Sequence, residues 1–117
     1  MKLDRNIPEN KGRGKYALLL LRNFDEAIRR DPSKYANYAE RIPEALKLLE
    51  EVGMLDWGYA ETESEFFLIR LKDKYAANAL AAYADTARND GEAEYAAEID
   101  SLAARSGPQS QWCKRPD

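Results

Sequence analysis

A chain of 117 residues, 44% hydrophobic and 33% charged, has the length and composition of one folding domain with enough apolar content for a core that needs no staples. Its 18 Lys and Arg stand against 21 Asp and Glu, and the formal net charge of −3 disfavours a general nucleic-acid binder while leaving room for local basic patches. With no histidine and a single cysteine, Cys113, the composition excludes an internal disulfide, a structural zinc site within one chain, and triads of the Ser-His-Asp or Cys-His type.

Carboxylates, Lys, Arg, Tyr, Ser and Thr remain for chemistry, so the expectation is a non-enzymatic protein without a cofactor or metal. Residues 1–10 are polar and hold Pro8, unlike a signal peptide. The longest apolar run, 16–21, is far too short to span a bilayer. A cytoplasmic protein with no membrane partner is therefore expected.

Residues 1–14 read as a flexible basic arm, with Gly12 and Gly14 around Arg13. The apolar run over 15–22 follows a glycine turn and reads as a strand buried on both faces, followed by a short helix over 24–30. Its Leu and Ala content also suits a helix; in that case the sheet shrinks to a hairpin packed on a helical bundle. Asp31-Pro32 is a helix start, an N-cap carboxylate followed by proline at the first position. Ile42-Pro43 predicts a break or kink, and Pro43 then opens a helix whose apolar face is Ile42, Leu46, Leu49 and Val52, stopped by Gly53.

Leu55, Trp57 and Tyr59 alternate, as do Phe67, Ile69 and Leu71, with a polar link at 61–64 between the two runs. This pattern predicts an antiparallel hairpin over about 54–72. Asp73 suits the cap of a helix over roughly 74–88, with Ala76, Ala79, Leu80, Tyr83 and Ala87 on one stripe. Asn89-Asp90-Gly91 is a turn, and a last helix over about 92–105 turns Tyr95, Ala96, Ile99, Leu102 and Ala103 inward. The alanine-rich faces predict an αα-hairpin over about 74–105. Residues 107–117 read as a tail with Trp112 as its one large apolar anchor. The expected fold is α+β: a small antiparallel or mixed sheet packed against four or so helices in one domain over 15–106.

The blocks GKYALLLLR at 14–22, EFFLIRLKDKYA at 65–76, EYAAE at 94–98 and CKRPD at 113–117 occur in that order. Together they resemble a family of small proteins encoded in phages and prophages of proteobacteria. The resemblance covers most of the chain except about 24–53, and it brings no assigned activity and no catalytic residues. What it implies is a genomic setting, that of a small accessory protein made during infection or carried by a prophage; such genes often encode proteins that bind and block a host factor, defence complexes included.

The candidate interaction residues follow from charge and aromatic content. Arg70, Lys72 and Lys74 form a basic run, with Arg70 and Lys72 on one face of the expected strand. Such a run meets an acidic surface or a phosphate, or else simply guards a strand edge. Lys11, Arg13 and Lys15 load the arm with charge that suits phosphates, although no P-loop pattern is present. Seven tyrosines are many for this length; most are expected at the rim of the core, with Tyr35 and Tyr38 the first to be exposed. Trp112 either anchors the tail or folds back with it as a strap over the core. Asp56, Glu61, Glu63 and Glu65 read as a solubilising turn before they read as an acid–base pair or cation site. Cys113 has Lys114 and Arg115 beside it, charge that favours a thiolate, but no base accompanies it. The preferred reading is a protein-binding module, with a homo-oligomer left open. The alternative is nucleic-acid or nucleotide binding through the local basic patch.

Overall fold

The computed structural model describes Leu3 and residues 14–116; the side chains of 24–28, 34, 35 and 37 lie outside that description. Among the described residues, four α-helices follow in order: α1 (Leu21–Arg30), α2 (Pro32–Glu51), α3 (Ala76–Asn89) and α4 (Ala93–Ala103), then a 3-10 helix at Gly107–Gln109. No strand or sheet occurs among them, so the expected α+β fold is corrected to a helical one. The chain divides into two compact units, Leu18–Phe67 on one hand and Met1–Ala17 with Leu68–Asp117 on the other.

In the first unit, α1 ends with Arg29 and Arg30, cations placed where the helix dipole is negative. Asp31 interrupts the helix, and its carboxylate accepts the Ser33 hydroxyl at 3.0 Å as α2 begins on Pro32. The expected break at Ile42-Pro43 does not occur: α2 runs through Pro43 as one helix. Pro43 offers no N–H to the Ala39 carbonyl, yet good helix formers on both sides (Ala39, Glu40 and Arg41; Glu44, Ala45 and Leu46) carry the coil across the gap. Gly53 does stop the helix. At φ +79° it lets the Met54 N–H reach the Leu49 carbonyl at 2.8 Å and its own N–H reach the Glu50 carbonyl at 3.1 Å, the paired bonds of a Schellman motif.

The expected hairpin over 54–72 is absent because short side chains intercept its backbone groups. The Asp56 carboxylate accepts the Gly58 N–H at 2.9 Å, and the Glu61 N–H donates to Glu65 Oε2 at 2.6 Å. The Thr62 hydroxyl and N–H both turn to the Tyr59 carbonyl, at 2.6 and 3.3 Å. Gly58 and Glu61 both have positive φ, which a flat strand does not accommodate, and the Phe66 ring lies directly over Gly58, where a Cβ would stand. Trp57, expected to alternate in a strand, instead turns back so that its indole N–H donates to Glu50 Oε2 at 2.8 Å. The expected third strand over 15–22 is likewise missing. Residues 16–20 carry no regular structure, and at Leu21 the chain enters α1.

The second unit is built on the expected αα-hairpin. Ala84, Ala96 and Ile99 are buried between α3 and α4, and Leu3, Leu80, Ala87, Tyr95 and Leu102 pack around them. Alanine at 84 and 96 lets the helix axes approach closely, so the core is narrow and depends on small residues. α3 ends like α2: Gly91 at φ +89° admits the Glu92 N–H to the Ala87 carbonyl at 2.9 Å and gives its own N–H to the Arg88 carbonyl at 3.1 Å. Across the hairpin, Arg88 pairs with Asp100 and with Asp85, and the Tyr83 and Tyr95 hydroxyls meet at 3.1 Å. Leu3 is tied to α4, its N–H donating to Glu98 Oε2 at 2.7 Å.

Candidate interaction surface

The tail of the second unit is positioned by backbone groups. After α4 the chain turns at Ser106, whose fully buried hydroxyl donates to the Leu102 carbonyl at 2.5 Å. Gly107, at φ +55°, then gives its N–H to the Leu71 carbonyl at 2.8 Å. Further on, the Lys114 N–H donates to the Lys72 carbonyl at 3.0 Å and the Lys74 N–H to the Lys114 carbonyl at 2.8 Å. These bonds form an isolated parallel bridge between Asp73 and Lys114. The tail is thereby strapped along the segment that leads into α3.

The strap leaves an open depression of about 340 Å³ lined by Leu71, Lys72, Arg105, Gln109, Ser110, Gln111 and Trp112. Trp112 is 69% exposed, so it is not the buried anchor its size suggested. The Trp112 N–H donates to Ser110 Oγ at 3.1 Å and the Cys113 N–H to the Ser110 carbonyl at 3.1 Å, which fixes the turn that carries the indole. An apolar ring beside two cations, in a shallow cleft, suits the surface of another macromolecule better than a small substrate needing enclosure.

The remaining candidates are placed unequally. Lys72 lies in the depression, whereas Arg70 and Lys74 are exposed to either side of it in sequence. The shared strand face that grouped Arg70 with Lys72 does not exist, because the Asp73 N–H donates to the Arg70 carbonyl at 3.0 Å and closes a turn there. Lys11 and Arg13 lie outside the described residues, as does the side chain of Tyr35. Lys15 sits with its Nζ 5.7 Å from the centre of the Tyr16 ring. Tyr38 is exposed as expected, but so are Tyr16, Tyr59, Tyr75 and Tyr83, against the expectation that most tyrosines rim the core. The narrow alanine-built interface has no room for them.

Asp73, expected as the cap of α3, accepts the Tyr75 N–H at 2.7 Å one step earlier, and the helix begins at Ala76. The carboxylates of the 56–65 loop serve the loop itself. Hydrogen bonds from the Ser64 hydroxyl and then the Gly58 N–H hold the exposed Asp56 carboxyl below its ordinary pKa. Among the described residues, no group of three or more His, Cys, Asp or Glu is placed to hold a metal ion, and no helix is long and apolar enough to cross a membrane. Cys113 is free and exposed. Arg105, Gln109, Ser110 and Gln111 are the members of the depression that sequence reasoning missed; they lie some thirty or more positions from Lys72, and no local spacing signals that the tail returns.

No protein-family model, curated protein or solved structure matches the chain.

Proposed function

We propose that this chain is a non-enzymatic accessory protein of the phage type that acts in the bacterial cytosol by binding a protein partner through Trp112 and the cleft beside it. The observation that carries the reading is a tryptophan held out to solvent by an ordered turn, with Lys72 and Arg105 in the same cleft. Tryptophan and arginine are the side chains on which protein interfaces most often depend, because a rigid ring and a planar cation are costly to leave hydrated once a partner fits them. The two cations select a partner that presents carboxylates around an apolar contact. The chain's acidic balance, 18 basic against 21 acidic side chains, favours a protein over a nucleic acid as that partner. The order of the four sequence blocks adds the setting, in which such a protein blocks a host or defence factor.

The test is comparative capture from a bacterial host lysate. Immobilised wild-type protein should retain a specific protein that neither the Trp112→Ala nor the Lys72→Glu variant retains. Equal retention by all three contradicts the reading, as does turnover of a metabolite by protein that captures nothing.

A further inference from the structure

The tail that carries Trp112 is fastened unequally at its two ends. At the near end Ser106 and Gly107 are buried, and the Gly107 N–H reaches the Leu71 carbonyl at 2.8 Å. A Cβ on Gly107 would stand only 3.2 Å from the Lys74 carbonyl and 3.3 Å from the Ala77 Cβ, so that end is tightly packed. At the far end two backbone hydrogen bonds hold the Asp73–Lys114 bridge, and Lys74, Cys113, Lys114 and Arg115 around them are exposed. Backbone bonds that open to solvent without uncovering a core break more readily than bonds beneath packed side chains. The turn between the two ends is closed within itself. The Trp112 N–H donates to the Ser110 hydroxyl, and the Cys113 N–H donates to the Ser110 carbonyl. Release of the far end therefore leaves this turn and the αα-hairpin formed. What release does undo is the cleft, because Leu71 and Lys72 lie on one segment and Gln109, Ser110, Gln111 and Trp112 on the other.

Charge sets how firmly the far end is closed. The bridge brings residues 72–74 against 113–115, and these six include Lys72, Lys74, Lys114 and Arg115 with Asp73 as the one carboxylate. Like charges gathered by a backbone pairing oppose that pairing. We propose that the bridge is an electrostatic latch: repulsion among its cations keeps the tail close to release, and an acidic segment of a partner closes it and completes the cleft. The closing step rests on the reading of Trp112 and its cleft as the binding surface; the latch itself does not. A ligand stabilises the state it binds best. Carboxylates that span Lys72 on one segment and Arg115 on the other are held by both only when the tail is docked, so they favour the closed form.

Amide exchange in the free chain reads the latch. The Lys74 and Lys114 N–H groups should exchange together, and faster than those of Gly107 and of Ala84 within α3. Raising salt from about 0.01 M to about 1 M shortens the Debye length from about 30 Å to about 3 Å, and should slow exchange at Lys74 at least about threefold. The direct effect of salt is read on the same amide in Lys114→Pro, whose bridge lacks a donor. Arg115→Glu, which sets a carboxylate among the three lysines, should slow exchange at Lys74 in low salt. Hexaglutamate should slow Lys74 and Lys114 together in low salt, and hexalysine should not. Exchange at Lys74 as slow as at Ala84 overturns the latch, and so does exchange that quickens in high salt or in Arg115→Glu. Hexaglutamate without effect overturns the closing step. None of these readouts uses Trp112. The reading of Trp112 fails separately, when Trp112→Ala captures the same protein as wild type.

Discussion

Lys114 lies in register beside Asp73, with its N–H on the Lys72 carbonyl and its carbonyl on the Lys74 N–H. Through this pairing a tail whose regular structure is a single 3-10 turn holds Trp112 at a fixed place beside Lys72. Replacing Lys114 with proline removes the donor to Lys72. The expected result is a loss of about 1 kcal/mol of stability, measured by chemical denaturation, with freer quenching of tryptophan fluorescence. Unchanged amide exchange at Lys74 in that variant would show that the strap is not what holds the tail.

The two helix stops make a graded prediction. Gly53 and Gly91 have positive φ and open space around the position of a Cβ, so alanine at either should cost about 1 kcal/mol through backbone strain alone. At Gly107 a Cβ would also stand 3.2 Å from the Lys74 carbonyl and 3.3 Å from the Ala77 Cβ. Gly107→Ala should therefore be the most destabilising of the three in a thermal melt and should loosen the tail as well.

The αα-hairpin tolerates little added volume. Ala84 and Ala96 are fully buried where α3 and α4 meet. Leucine at either should cost about 1–3 kcal/mol by forcing the helices apart. Leucine at Ala79 or Ala97, both exposed, should be nearly neutral. Equal midpoints for all four variants would mean that the two helices do not pack as described.

This hairpin was also the most legible part of the sequence, for a physical reason. Its alanine stripe and Asn89-Asp90-Gly91 turn act within a few residues of each other, and the helix bounds and the inward faces of α4 follow directly. On α3 the expected stripe includes Ala79 and Tyr83, which are exposed, and leaves out Ala84, the small side chain that fits the narrow interface. The 54–72 hairpin failed because alternation of Leu55, Trp57 and Tyr59 records a preference for a pleated surface only when the backbone is free to pair. Asp56, Thr62 and Glu65 bind that backbone locally, a competition that hydrophobic period does not register. The cleft was half legible. Lys72 and Trp112 were each singled out by charge and by size, but what joins them to Arg105 is a bridge between distant segments.

The 56–66 loop carries a pH signature. The Asp56 pKa is depressed by the Ser64 hydroxyl and the Gly58 N–H. A depressed folded-state pKa means that the contribution to stability is present above the unfolded value, about 3.9, and is lost as pH falls through the lower folded value. The Gly58 amide resonance should titrate with a midpoint below about 3.9, and Ser64→Ala should move that midpoint upward. A midpoint unmoved by Ser64→Ala would place the cause elsewhere.

On the proposed reading, Trp112 carries binding while contributing little to folding. The direct measurement is a calorimetric titration of the captured partner, once purified, with wild-type and Trp112→Ala protein whose unfolding midpoints are matched. The expected result is an unchanged midpoint and an affinity at least about 30-fold weaker, as for a central interface residue. Full affinity in the Trp112→Ala protein would show that Trp112 is not the residue on which binding depends.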